Sequence, residues 1–192
     1  WRLIAVCSCL LAWGEVFPAH AKTITVASGG PVLTIQGAIA TAQPGDTIEV
    51  QAGTYAGNLV LDKPVTLIGV GRPVVRGEGR GSVITVRAPS TIRGLVVEHS
   101  GEMLVDEDSG ILLKSGNNRI EENDLRDVLF GIYLFGSEHN RIVGNVIHGR
   151  ALPDLGERGS GIHIWNANDN TILNNTITDA RDGMYLQNAS QS

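Results

Sequence analysis

Asn118-Arg119-Ile120-Glu121-Glu122-Asn123, Asn140-Arg141-Ile142-Val143-Gly144-Asn145 and Asn170-Thr171-Ile172-Leu173-Asn174-Asn175 spell one pattern, N-x-I-x-x-N. An apolar residue follows two positions later each time: Leu125, Ile147, Ile177. Ahead of the three copies stand Gly110-Ile111-Leu112-Leu113, Gly131-Ile132-Tyr133-Leu134 and Gly161-Ile162-His163-Ile164, and Gly183-Met184-Tyr185-Leu186 opens a fourth. The leading asparagines step by 22 and then by 30 residues, the longer step holding an extra loop around 151–160.

A unit of that size, with two or three strands of four or five residues, cannot enclose its own apolar face; stacked on its neighbours, it can. Strand alternation turns Ile132 and Leu134 inward and Tyr133 outward, and Ile162 and Ile164 repeat the inward pair. Asparagine at a bend tolerates left-handed backbone and bonds its amide to main chain. Repeated about 4.8 Å apart along an axis, it also forms an amide ladder. The chain therefore reads as all-β, a parallel β-helix of about 22 residues per turn. The L-x-x-L-x-L consensus of leucine-rich repeats is absent. Upstream, Ser90-Thr91-Ile92-Arg93-Gly94-Leu95 stands in the place of N-x-I-x-x-N with Ser and Leu for the asparagines. Strand-like runs precede it at Thr47–Val50, Asn58–Leu61, Val65–Ile68 and Val83–Arg87. Ile35 to Ala42 keep small or apolar groups at 35, 38, 39 and 42, with Thr34 as N-cap, which predicts a short helix plugging the N-terminal end.

Composition agrees. Of 192 residues 24 are Gly, 42% are apolar and only 5% aromatic, a mixture for many turns between short β-branched strands and not for a helical bundle. A net charge of −5 gives no footprint for a phosphate backbone, so no nucleic-acid partner is expected. Residues 1–21 read as a cleaved export signal: Arg2, an apolar run from Leu3 to Trp13, then the small-x-small site Ala19-His20-Ala21. The run is too short to cross a bilayer, and residues 22–192, the β-helix domain, hold no longer one. Both cysteines, Cys7 and Cys9, fall in the signal, leaving the exported domain no thiol for a disulfide, a zinc site or a nucleophile. An exported, acidic, cysteine-free protein suits a bacterial periplasm. Because the copy opened at Gly183 stops at Ser192, the solenoid reads as C-terminally truncated.

Thr34-Ile35-Gln36, Ala42-Gln43-Pro44-Gly45-Asp46-Thr47-Ile48 and Ala52-Gly53-Thr54-Tyr55 together resemble the opening of many right-handed β-helix proteins, pectin-acting enzymes and non-catalytic relatives among them. Asp127-Val128-Leu129-Phe130-Gly131-Ile132-Tyr133, Glu157-Arg158-Gly159-Ser160-Gly161-Ile162-His163-Ile164-Trp165-Asn166 and Arg181-Asp182-Gly183-Met184-Tyr185 resemble the NosD family of nitrous oxide reductase maturation proteins. The resemblance runs from Thr34 to the end and is most specific in E-R-G-x-G-I-x-x-W-N. It implies a periplasmic right-handed β-helix of denitrification with no assigned hydrolytic chemistry and no organic cofactor. It further implies association with a membrane ABC transporter, a copper-chaperone lipoprotein and nitrous oxide reductase, whose copper centres are being assembled, with copper handled in passing.

On a β-helix, function resides on outward side chains and on loops at the turns. One outward column holds Leu112, Tyr133, His163 and Tyr185; the next holds Lys114, Phe135, Trp165 and Gln187. They predict an exposed aromatic band and a partner-binding face. Two insertions, His99–Ser109 and Gly149–Ser160, leave the stack at the same turn and are expected to share one edge as neighbours. Glu157 and Arg158 on the second join Tyr133, Phe135, His163, Trp165 and Tyr185 as partner-binding candidates. Copper takes methionine or imidazole ligands, for which His99, Met103 and His148 are the candidates; Met184 replaces an inward Ile and is expected in the core. The alternative function is a carbohydrate-binding or carbohydrate-cleaving β-helix of pectate-lyase type. Cleavage needs facing carboxylates, or a calcium site with a basic residue beside it. Yet the column Arg126, His148, Thr178 changes chemistry at each turn, and Asp124 is followed by Val146 and Thr176. Asp127 and Asp179 recur near turns, where turn geometry alone favours Asp. No catalytic residue is assigned.

Overall fold

The computed structural model describes residues 21–189; the export signal expected over 1–21 lies outside them but for Ala21. The described chain coils through about 7 turns of about 24 residues, and each regular turn lays one short strand into each of three parallel sheets. The first sheet stacks Thr23–Val26, Thr47–Val50, Thr66–Gly69, Thr91–Arg93, Arg119–Glu121, Arg141–Val143 and Thr171–Leu173. The second stacks Thr54–Ala56, Val74–Arg76, Val96–Glu98, Asp124–Val128, Val146–Gly149 and Thr176–Thr178. The third stacks Leu59–Leu61, Ile84–Val86, Ser109–Leu113, Phe130–Phe135, Ile162–Trp165 and Met184–Gln187. Partners lie a whole turn apart in sequence: Ile120 with Ile92 and Ile142, Leu125 with Val97 and Ile147, Ile132 with Ile111 and Ile162. Asn118 to Asn140 is 22 residues, whereas the turns that carry the two insertions span 28 and 30.

The inward residues form three apolar columns. Ile48, Leu67, Ile92, Ile120 and Ile142 come from the first sheet, Val75, Val97, Leu125 and Ile147 from the second, and Leu61, Val86, Leu113, Leu134 and Ile164 from the third; all are fully buried. Burying a side chain of this size is worth about 1.5–3 kcal/mol. The glycine that opens each G-I-x-x copy lies where the chain turns from the second sheet into the third. A Cβ on Gly131 would sit 2.3 Å from the Gly161 carbonyl oxygen and 2.5 Å from Ile147 Cγ2, so only glycine lets successive corners stack.

Two asparagine ladders flank the first sheet. On one side the backbone N–H and the side-chain amide of Asn118 both donate to Asn140 Oδ1 (2.9 and 2.8 Å), and Asn140 does the same to Asn170 Oδ1 (2.9 and 2.8 Å). On the other, Asn123 donates twice to Asn145 Oδ1 (3.0 and 3.1 Å) and Asn145 twice to Asn175 Oδ1 (2.9 and 3.0 Å). Ser90 and Leu95, the residues that replace asparagine one turn earlier, need no amide of their own: their backbone N–H groups donate to Asn118 and Asn123 at 2.9 and 3.1 Å. Each ladder oxygen thus satisfies backbone at a bend, where a buried unpaired donor would cost about 1–3 kcal/mol.

The expected helix forms at Ile35–Thr41, the Thr34 hydroxyl accepting from the Gly37 N–H at 3.1 Å. It lays Ile35, Ala38, Ile39 and Ala42 onto the end of the core. Met184, expected inside, is 47% exposed: it pairs with Ile162, and no described turn lies over it. No helix among the described residues is long and apolar enough to cross a membrane.

Candidate functional site

The insertions leave the stack at one corner, between the second and third sheets. The first carries a short 3-10 turn at Leu104–Asp106 and the second another at Leu155–Glu157. They share the edge but are not adjacent: one turn lies between them, and it rounds the same corner through Asp127, Val128 and Leu129 alone. His99 and Asp127 occupy this corner in left-handed backbone (φ 65° and 49°), as Asp179 does further along (φ 58°). The recurring aspartates thus serve the bend, as their spacing suggested.

Arg150 ties the corner together. Its side chain is only 9% exposed. Nε donates to Asp127 Oδ1 at 2.7 Å, Nη2 to the Ser100 carbonyl at 2.6 Å and Nη1 to the Gly101 carbonyl at 3.2 Å, with Glu102 Oε1 3.3 Å away. One guanidinium therefore binds both loops and the turn between them through charge-assisted bonds, its rigid fork matched by three acceptors. Asp127 also bonds His99 Nδ1 at 2.9 Å. Burial would raise the Asp127 carboxyl, but the bonds from His99 and Arg150, with the charge of each, outweigh it and hold the acid below its ordinary 3.8. Beneath them Ser100 Oγ accepts from the Leu129 N–H at 2.9 Å. This hub was not foreseen; its signal was a single arginine opening the second insertion.

Between the loops runs a groove of about 510 Å³, with Glu102, Met103, Leu104 and Val105 on one wall, Leu152 and Glu157 on the other, and Leu129 and Arg150 at its floor. Glu157 is exposed on this wall. Arg158 instead shapes its own loop, its Nε donating to the Leu152 carbonyl at 2.6 Å. The glycine after it is dictated by the turn below, since a Cβ on Gly159 would stand 2.4 Å from the Leu129 carbonyl oxygen.

The expected exposed aromatic band is narrower than its columns implied. Leu112, Tyr133 and His163 are in register as predicted but are buried, together with Leu129 and Phe130. The correction has a physical cause. The first insertion folds back over the column and brings Glu107 beside Tyr133; burial, and then that carboxylate, push the phenol far above its ordinary range. His163 stacks on Tyr133 at 4.4 Å and 5° and lies against Tyr185 at 5.0 Å, with Phe130 edge-on at 5.4 Å. Neither ring nitrogen has a partner among the described residues, and burial, with Arg181 adding and Asp182 opposing, holds the imidazole below its ordinary 6.5. What remains open is Phe135 and Tyr185, with Trp165 half-buried and Lys114 5.5 Å over the Phe135 ring.

Each copper candidate has surroundings of its own. His99 is bound to Asp127, His148 Nδ1 lies 2.8 Å from Thr178 Oγ1 on the outer face of the second sheet, and Met103 stands exposed on the groove wall. No group of three or more His, Cys, Asp or Glu able to hold a metal forms among the described residues, a count in which methionine has no part. The column Arg126, His148, Thr178 is in register as read, as is Asp124, Val146, Thr176.

Residues 82–192 match the family model described as the right handed beta helix region. The chain is 30% identical over 179 residues to the "Probable ABC transporter binding protein NosD" of Pseudomonas aeruginosa, which covers 85% of this chain and 42% of that protein. It is 30% identical over 135 residues to the protein so named from Stutzerimonas stutzeri, covering 69% of this chain and 31% of that one. The chain spans less than half the length of these curated relatives. Among solved structures, an alginate lyase from a Paenibacillus superposes with a TM-score of 0.67 at 22% identity, over 88% of this chain and 65% of the lyase, a likeness of fold. The chain belongs to the right-handed beta helix family and is NosD-like in sequence.

Proposed function

We propose that this chain is an exported, periplasmic accessory protein of nitrous oxide reductase maturation. It acts as a scaffold with no turnover of its own, beside a membrane ABC transporter and a copper-chaperone lipoprotein, while the copper centres are assembled. The observation that carries this reading is the convergence at the two-loop edge: the NosD-like stretches at 127–133 and 157–166 supply its central turn and one wall, around Leu129 and Glu157. A rigid stack that keeps irregular backbone at one corner is built to present that corner. Similarity to proteins named as ABC transporter binding proteins supports a transporter partner. Among the described residues, the outward columns of the second sheet, Arg126, His148, Thr178 and Asp124, Val146, Thr176, place no two carboxylates in register. Copper is cargo in this reading, and with His99 and His148 each bound to a neighbouring side chain, a partner supplies most of its ligands.

Deleting the gene from a denitrifying bacterium is the test. The expected outcome is nitrous oxide reductase lacking copper, with nitrous oxide accumulating and both restored by complementation. Fully copper-loaded reductase in the deletion strain would overturn the reading. Turnover of a uronate polymer by the purified protein would overturn it in favour of carbohydrate cleavage.

A further inference from the structure

We infer that the groove between the two loops is a docking cleft for an extended peptide segment of a partner protein, one in which apolar side chains alternate with lysine or arginine. The inference deepens the proposed function, since it names the chemistry that the two-loop edge recognises. Three observations lead to it.

The first is apolar surface where a soluble loop has no use for it. Val105 is 81% exposed, Leu155 58% and Met103 54%, all on the two loops. With Leu104, Leu152 and the floor residue Leu129, the groove's about 510 Å³ accommodates two or three aliphatic side chains. The second is an excess of charge of one sign. Glu102 projects with its side chain 80% exposed, Glu157 stands on the facing wall, and Asp106 stands beside Val105. The cations of the neighbourhood do not cancel it: Arg150, sunk at the floor, is shared among Asp127, two carbonyls and Glu102 at 3.3 Å, Arg158 is held by the Leu152 carbonyl, and Arg80 and Arg181 pair with Glu78 and Asp182. Asp106 and Glu157 have no cation within salt-bridge distance among the described residues. An apolar trough with a negative rim selects a basic, apolar segment and repels an acidic one. The third is pre-organisation. Arg150 fixes both walls before any partner arrives, so little ordering entropy is left to lose on binding. Arg150 is a positioning residue here, buried beneath the cleft and acting through Ser100, Gly101 and Asp127.

The experiment uses the purified protein and two fluorescein-labelled synthetic peptides of about eight residues, one alternating leucine or valine with lysine, the other identical but with glutamate at every lysine. Fluorescence anisotropy is read at about 50 and about 500 mM salt. The lysine peptide is expected to bind at least about tenfold tighter than the glutamate peptide and to weaken at the higher salt. Glu102→Gln with Glu157→Gln is expected to weaken the lysine peptide at least about fivefold and to flatten its salt dependence. Val105→Ser, a change at an exposed site that leaves the stack untouched, is expected to weaken it without altering that dependence. Asp62→Asn, an exposed carboxylate on another part of the surface, is expected to change nothing. Equal binding of the two peptides, binding of neither, or binding that ignores the groove variants overturns the inference. Each of those results leaves the copper content of reductase in the deletion strain to decide the proposed function separately.

Discussion

Asn140 works on every side at once. Its oxygen accepts both the backbone and the side-chain N–H of Asn118, and its amide donates to the Ser137 carbonyl and to Asn170 Oδ1. Asn170 accepts the same pair, but its own amide nitrogen is buried without a partner among the described residues. Asn140→Ala is therefore expected to cost about 2–4 kcal/mol in urea unfolding, and Asn170→Ala distinctly less; equal losses would mean that the ladder is not cooperative. His163 gives the second prediction at this scale. Its imidazole sits below 6.5 in the fold, so the unfolded chain binds a proton first as pH falls. Stability is then fully present above about pH 7 and declines as pH drops below 6.5 towards the lower folded value. Denaturant midpoints between about pH 7 and 5 should fall for the native protein and fall less for His163→Phe, which keeps the aromatic stack and removes the titration. The ladder could be read from the repeating N-x-I-x-x-N, because a residue recurring at each bend must meet its own copies. The burial of His163 could not. Alternation says which face a side chain takes, and says nothing of the distant loop that folds onto that face.

At the scale of elements, what could be read was long or periodic. The strands at 47–50, 59–61, 66–69 and 84–86 fall within a residue or so of the expected runs. The strands Thr54–Ala56 and Val74–Arg76 were missed because each buries a single residue, Tyr55 or Val75, whereas the equally short Leu59–Leu61 and Ile84–Val86 each bury two and so show alternation. The loops were located correctly, but their joining by Arg150 was not, since a cation beside several acids in sequence does not show which backbone carbonyls it will reach. Arg150→Met isolates that role: it keeps the buried stem and deletes the fork. Hydrogen exchange is expected to accelerate at 101–105 and 151–158 and to stay unchanged in the strands of the first sheet, with a loss of about 1–3 kcal/mol overall. Unchanged loop exchange would show that the walls hold each other without the arginine.

The whole molecule is close to one-dimensional: each strand pairs only with those of the turns above and below it, and only long side chains such as Arg72 and Arg150 are seen to reach one turn further. Damage should therefore spread by neighbours. Ile142→Ala, which opens a fully buried column, is expected to cost about 2–5 kcal/mol and to expose amides at 119–121, 141–143 and 171–173 well before those at 47–50 and 66–69. Uniform loss of protection along the solenoid would contradict this. The period, the inward residues and the capping helix could all be foreseen at this scale, because a stacked coil writes its geometry into the chain many times over. The groove could not, because it is written once.

The single turn that rounds the corner between the two loops sets their separation to two strand spacings, or about 9.6 Å. That gap is counted in coils. Adding or removing one whole coil between the loops would move the walls apart or together by about 4.8 Å while leaving the columns on either side intact. The width offered to a visiting chain can thus change only in steps, and a lineage could switch partners by gaining or losing a repeat without redesigning either loop.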